Sequence, residues 1–203
     1  MNPYTLSVTY VKSSEYPSQC PTDGLPEYAF IGRSNVGKSS LINMLAGNEK
    51  LSKVSGTPGK TRLISHFLVN KRWYMVDLPG YGFAKTSKSN RKQFSSIITR
   101  YIGERQSLTL LFVLIDVRHE PQRIDLEFIR QLGERGVPFA LVFTKADKAS
   151  GRDQRNNMER FRRTLLETWE ELPPIFLTSS EKKTGGEEIL QYIEHVNSCL
   201  QKP

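Results

Sequence analysis

One string constrains the fold of this chain more than any other: Gly32-Arg33-Ser34-Asn35-Val36-Gly37-Lys38-Ser39, of the form G-x-x-x-x-G-K-S. An apolar run, Tyr28 to Ile31, leads into it, and a helical stretch, Lys38 to Ala46, leaves it. The glycines let the backbone curl so that its N–H groups converge on phosphate oxygens. The helix starting there adds its positive N-terminal end. In this setting Lys38 is placed to reach the outer phosphates, and Ser39 to put its hydroxyl on Mg²⁺. The duller reading, a Gly-rich surface turn, is disfavoured by the strand before the loop and the helix after it.

A cradle of this kind needs a sheet behind it, and the rest of the chain supplies one. Ile64 to Val69 and Arg72 to Val76 are strand-like, with Asn70-Lys71 as a turn between them. Thr109 to Val117 and Val137 to Phe143 are almost wholly apolar, as expected of strands covered on both faces. Helical patterns lie between, at Ser89 to Arg105, Gln122 to Arg135 and Asp153 to Glu170. A last strand near Ile175 to Thr178 precedes a closing helix, Glu187 to Leu200. This alternation predicts an α/β fold with a mainly parallel sheet. Thr5 to Val11 reads as an arm or edge strand, giving residues 1–24 as an arm and 25–203 as a single domain.

Composition narrows the setting. Hydrophobic residues at 37% and charged residues at 25% exclude a disordered chain. No apolar run is long enough to cross a bilayer, and Met1 to Cys20 has no signal-peptide core, so a cytoplasmic protein without membrane contact is expected. Cys20 and Cys199 show no metal-ligand spacing and read as ordinary thiols.

Two further motifs fall at strand ends, where ligands of open α/β sheets bind. Asp77-Leu78-Pro79-Gly80 offers an acid for Mg²⁺, directly or through water, and a glycine N–H for a terminal phosphate. Thr144-Lys145-Ala146-Asp147 offers a carboxylate that accepts both the N1–H and the exocyclic NH₂ of guanine. Adenine has no such donor pair, and an unpaired buried carboxylate is costly. Lys145 reads as a stem lying along the base and packing on the cradle. Thr178-Ser179-Ser180 would close the base pocket with backbone N–H groups. Each motif alone is weak; together, in this order, they point to GTP and GDP as ligands.

The strings GRSNVGKSSLIN, SGTPGKTRLI, VDLPGYGFAK, LIDVRH and FTKAD resemble the TRAFAC-class small P-loop GTPases, and more narrowly the EngB (YihA/YsxC) family. The resemblance runs from about Leu25 to Leu200 and implies a three-layer Ras-like domain whose mainly parallel sheet has one antiparallel strand. It also implies that Thr57-Pro58-Gly59-Lys60-Thr61 is a switch segment. Thr61 would then meet Mg²⁺, with Gly59, Lys60, Thr61, Arg62 and Leu63 along the phosphates; without the resemblance, Thr61 reads as a β-branched residue opening a strand. Thr144 agrees with the family's form of the base motif. A role in large ribosomal subunit assembly, and in normal division and septation, is what the resemblance implies. The alternative is a GTPase that binds protein partners of the division machinery without touching RNA.

The expected chemistry is hydrolysis of GTP to GDP and phosphate, with Lys38, Thr61 and Gly80 as the catalytic contacts. Tyr81 stands where a water-orienting Gln is usual, on a Gly80-Tyr81-Gly82 segment expected to be flexible, so slow intrinsic turnover is expected. Asn35 either holds K⁺ beside the phosphates or merely stabilises the turn; Arg33 either acts in cis or is an exposed loop residue.

Charge is unevenly spread. Of the net +8, residues 1–30 carry −2, residues 31–105 carry +11 (fourteen Lys/Arg against three acids) and residues 106–203 carry −1. Lys53, Lys60, Arg62, Lys85, Lys88, Arg91 and Lys92 surround the switch segments, and Tyr81 and Phe83 offer rings on which a base would stack. Together with the resemblance this favours RNA contact over a merely solubilising surface, and the resemblance implies that the partner is the large ribosomal subunit or its rRNA. A monomer is expected.

Overall fold

In the computed structural model, residues 6–52, 63–81 and 88–200 are described, the side chains of 88–95 excepted. Seven strands are present among them: β1 (Val8–Ser14), β2 (Glu27–Gly32), β3 (Ile64–Val69), β4 (Trp73–Asp77), β5 (Leu108–Asp116), β6 (Phe139–Thr144) and β7 (Ile175–Leu177). They form one sheet in the order β1-β3-β4-β2-β5-β6-β7. Strand β3 runs antiparallel to both its neighbours, and every other pairing is parallel. The expected single antiparallel strand is therefore β3, and β1 lies on it as the sheet's edge.

Five helices cover the sheet: α1 (Lys38–Ala46), α2 (Lys88–Glu104), α3 (Arg123–Glu134), α4 (Gly151–Leu166) and α5 (Gly186–Leu200). Strand alternation divides the core into two layers. Tyr28, Phe30, Leu110, Phe112 and Leu114 meet Leu41, Ile42, Ile189 and Ile193 of α1 and α5. Ala29, Ile31, Leu111, Val113 and Ile115 meet Ile98, Tyr101, Ile129, Leu132 and Phe161 of α2, α3 and α4. Apolar burial on both faces explains why β5 and β6 read as unbroken apolar runs. Among the described residues no helix is long and apolar enough to cross a membrane.

Several boundaries differ from the expected ones for local reasons. Helix α4 opens two residues early because the Ser150 side chain caps it, accepting from the Asp153 N–H at 3.1 Å. It stops at Leu166 rather than Glu170, and Trp169 packs edge-on to Phe139 instead. Strand β1 covers Val8–Ser14, shifted toward the C-terminus, with an irregularity between Tyr10 and Lys12. Asn70 and Lys71 both have positive φ, 49° and 55°, the geometry a tight antiparallel hairpin demands.

At the N-terminal end of β2, away from the phosphate motifs, Glu27 is fully buried. Its carboxylate accepts from Tyr101 and from Arg105, whose Nε lies 2.9 Å away, and faces His66 at 3.3 Å. Burial alone would raise its pKa, but these neighbours override it and hold the carboxyl at about 2. A folded pKa below the unfolded one stabilises the fold above about pH 4.5, and the gain is lost as pH falls toward 2. The Glu27→Gln variant is therefore expected to be roughly 3 kcal/mol less stable at pH 7, since it leaves Arg105 without its charge partner. Urea melts from pH 7 to pH 2 should show the wild type losing stability between pH 4.5 and 2 more steeply than the variant.

Candidate nucleotide site

Three of the motif loops leave the carboxyl ends of β2, β4 and β6, and the chain reverses its course across the sheet at β2. This is where α/β sheets open a crevice. The loop from Gly32 to Gly37 connects β2 to α1, and Gly37 takes φ 107° at the helix's N-cap. Its shape is set by close approaches. A Cβ on Gly32 would sit 2.9 Å from the Leu114 carbonyl oxygen, and one on Gly80 2.8 Å from the Gly32 oxygen. Only glycine lets these backbones approach so closely. The Tyr81 N–H donates to that same Gly32 oxygen at 3.1 Å.

Val36 is buried, and its carbonyl accepts the Thr144 hydroxyl at 2.7 Å, tying the phosphate loop to the base motif. Thr144 thus works structurally, turned inward between Val36 and Ile115. Lys145 extends over the cradle: its Nζ donates to the Asn35 carbonyl at 2.6 Å and to Asp116 Oδ2 at 2.9 Å. Asn35 has φ 63°, a left-handed turn position that Asn tolerates. Lys38 Nζ pairs with Asp77, whose other oxygen accepts from Ser52 at 2.9 Å. Leu78, Pro79 and Gly80 are buried beneath, and Ser39 follows Lys38 on the first turn of α1.

On the base side, Ala146 and Asp147 lie in a short 3₁₀ turn, and the Ala146 N–H donates to the Thr178 oxygen at 3.1 Å. Ser179 is buried and donates its hydroxyl to Asp147 Oδ1 at 2.6 Å, which holds that carboxyl below its usual pKa. Thr178 is buried, and Ser180 is half-buried at the rim. The structure thus places Asp147 beside Ser179, and Lys145 over the cradle. Leu63 lies just before β3, whereas Gly59, Lys60, Thr61 and Arg62 lie outside the described residues, as do Lys53, Lys85, Phe83 and the side chains of Lys88, Arg91 and Lys92.

Four residues carry geometry here that the motifs do not announce. Ser52 holds Asp77, and is itself held by Asn43, which accepts the Ser52 N–H at 2.7 Å. Asp116 receives Lys145 and, at both oxygens, Arg118. Burial opposes ionisation of Asp116, but these donors outweigh it and keep the carboxyl well below the usual carboxylate range. Asp125 on α3 accepts the Tyr81 hydroxyl at 2.9 Å and lies 3.3 Å from Arg33 Nε. Asn43 and Asp116 had a signal in the sequence, in the strings GRSNVGKSSLIN and LIDVRH, whereas Ser52 and Asp125 had none.

Two expectations change. Tyr81 is not on a free segment: it is only 9% exposed and stacked on Phe128 with ring centroids 4.5 Å apart, so it offers no face to an RNA base. Arg33 is not a free loop residue, because its side chain is drawn toward buried Asp125.

The donors fit the group these motifs imply. The Ser34 hydroxyl, in the loop between Gly32 and Gly37, is buried without a hydrogen-bond partner among the described residues. Ser39 and Asp77 supply hard oxygen ligands of the kind Mg²⁺ takes.

A model of the family described as 50S ribosome-binding GTPase matches residues 27–145. A probable GTP-binding protein EngB from Phocaeicola vulgatus is 58% identical over 196 residues, covering 97% of this chain and 98% of that one. The chain belongs to the EngB family of GTPases. Hydrolysis of GTP is thus its reaction. A crystal structure of a probable GTP-binding protein engB is similar in fold, with a TM-score of 0.63 at 24% identity, covering 85% of this chain and 98% of that chain. Aquifex aeolicus Era, solved as a point variant bound to GDP·AlF₄⁻, matches with a TM-score of 0.67 at 23% identity, over 83% of this chain and 56% of that one. Both establish the three-layer Ras-like architecture for this EngB-family chain.

Thr144→Val keeps the volume and removes the hydroxyl that joins the two motifs. It is expected to destabilise the fold by about 1–2 kcal/mol, because the Val36 carbonyl loses its donor. Chemical denaturation at pH 7 measures this directly.

Proposed function

We propose that this GTPase is a slow nucleotide-dependent switch in assembly of the large ribosomal subunit, acting in the cytoplasm and needed through that role for normal division and septation. The observation that carries the reading is Tyr81. The residue following the D-x-x-G glycine is a phenol tied to Asp125 and Phe128, so that position offers no amide to orient the attacking water. A GTPase built this way remains in its GTP state until something intervenes, which suits a protein whose bound state is the message. Support for an RNA partner comes from the +11 charge of residues 31–105 and from the family description itself.

In this reading Gly32 to Ser39 cradle the phosphates, and Lys38 neutralises their charge as the bond to the leaving GDP oxygen breaks. Ser39, Asp77 and Thr61 would hold Mg²⁺, which supplies charge neutralisation between the outer phosphates when bound. The Gly80 N–H reads the terminal phosphate. Gly59, Lys60, Arg62 and Leu63 follow the phosphates, while Asp147, Lys145 and the Thr178-Ser179-Ser180 loop take the guanine. Asn35 is assigned a K⁺ ion beside the phosphates, and a hydrolysis rate equal in Na⁺ and K⁺ would remove that assignment.

Three measurements test the reading. Replacing Asp147 by Asn presents an NH₂ donor where guanine also offers donors. Affinity for GDP should fall by about a hundredfold or more, while xanthosine diphosphate, with a carbonyl there, should bind better than to the wild type. Second, the protein should co-sediment with purified large subunits in a non-hydrolysable GTP analogue but not in GDP, and less so at high salt. Absence of binding in every nucleotide state would move the search to protein partners. Single-turnover hydrolysis by the isolated protein should be on the order of 10⁻⁴ to 10⁻³ s⁻¹.

A further inference from the structure

Asp125 is a buried carboxylate on a helix that carries none of the nucleotide motifs. Its side chain is 1% exposed, in the first turn of α3. One oxygen accepts the Tyr81 hydroxyl at 2.9 Å; the other has no aligned hydrogen bond among the described residues and lies 3.3 Å from the Arg33 guanidinium. Burial pushes this carboxyl's pKa up, and Arg33 and Tyr81 oppose the shift without cancelling it. An arrangement so sparsely compensated contributes little to stability compared with an apolar residue of the same size. What it does accomplish is positional. It joins α3 to the second residue of the phosphate cradle and to the residue immediately after Gly80.

Gly80 is constrained from both sides through Tyr81. The Tyr81 N–H is bonded to the Gly32 oxygen, and the Tyr81 ring and hydroxyl are bound to Phe128 and Asp125 of α3. With no side chain of its own, Gly80 lies where its backbone nearly touches the cradle. A group that must meet a developing charge is most effective when its position is fixed beforehand.

We propose that Asp125 is a positioning residue for GTP: by holding Tyr81 and Arg33 from α3, it fixes the Gly80 N–H where the terminal phosphate is read. This rests on the reading of Gly80 given above. A displacement of α3 would then alter how the protein distinguishes GTP from GDP, with no change in the groups that touch nucleotide.

The test uses Asp125→Asn and Tyr81→Phe in the full chain, each close to isosteric. Affinities for a non-hydrolysable GTP analogue and for GDP are measured by fluorescent-nucleotide titration, with single-turnover hydrolysis alongside. Both variants should lower the ratio of analogue to GDP affinity roughly tenfold, the order carried by one hydrogen bond to a charged group. GDP affinity should stay within about twofold, because GDP has no terminal phosphate for Gly80 to read. Hydrolysis should fall with the ratio. A merely structural role would weaken both nucleotides together or neither, and that result overturns the proposal. Should Asp125→Asn fail to fold, an unchanged ratio in Tyr81→Phe overturns it equally. A wild type that binds the two nucleotides alike would overturn the reading of Gly80 itself; wild-type discrimination surviving both substitutions overturns the role of Asp125 alone.

Discussion

The phosphate end of this sheet depends on the carbonyl of Gly32. Strand β2 is central, so its last residue lies between β4 on one side and β5 on the other. The Gly32 oxygen accepts the Tyr81 N–H and leaves no room for a Cβ on Gly80, while Gly32 itself leaves none against Leu114. Three strand ends are thereby brought into backbone contact. Side chains alone would not hold loops this closely, since a methyl group at either glycine would require backbone to move. Val36 then joins β6 to the same loop through the Thr144 hydroxyl.

Charge is distributed on that frame in two contrasting ways. Glu27, at the far end of β2, is surrounded by more donors than it needs, and its carboxyl stays ionised despite complete burial. Its partners are His66 of β3, Tyr101 of α2 and Arg105 just after that helix, so the network ties β3 and the C-terminal end of α2 to β2 at the end of the sheet opposite the motif loops. Asp77, Asp116 and Asp125 sit at the opposite end, each paired with a cation of the cradle or the base motif. There the pairings link the motif loops, and on the proposed reading some would rearrange when phosphate brings charge of its own, since Lys38 would not serve Asp77 and a phosphate with the same geometry.

Much of this was legible in the sequence, for a physical reason. The motif loops are short, local and rich in glycine, and each adjoins a strand or helix whose periodicity is strong. The cradle, helix α1 over Lys38–Ala46 and strand β3 over Ile64–Val69 were readable because every residue involved lies within a dozen positions of the next. The partners of Tyr81, Lys145 and Asp77 were not readable. Asp125 is 44 residues from Tyr81, Asp116 is 29 from Lys145, and Ser52 is 25 from Asp77. No periodicity reports such a pairing, since only the crossing of strands brings those positions together. The same limit misled the reading of Tyr81, which beside two glycines suggests mobility until α3 is in view.

The consequence concerns where control of the nucleotide state can be exerted. If the groups touching phosphate are backbone N–H groups, their reactivity cannot be altered by titration or rotamer change, only by moving the backbone. The Gly80 backbone is attached through Tyr81 to a helix, α3, that a partner can reach: Arg123, Ile124 and Glu127 of its outer face are exposed. A contact there has a continuous, hydrogen-bonded route to the phosphate loop through one buried carboxylate. In a GTPase whose usual water-orienting position is occupied by a phenol facing inward, a partner on α3 would by that route bear on the Gly80 backbone without touching nucleotide.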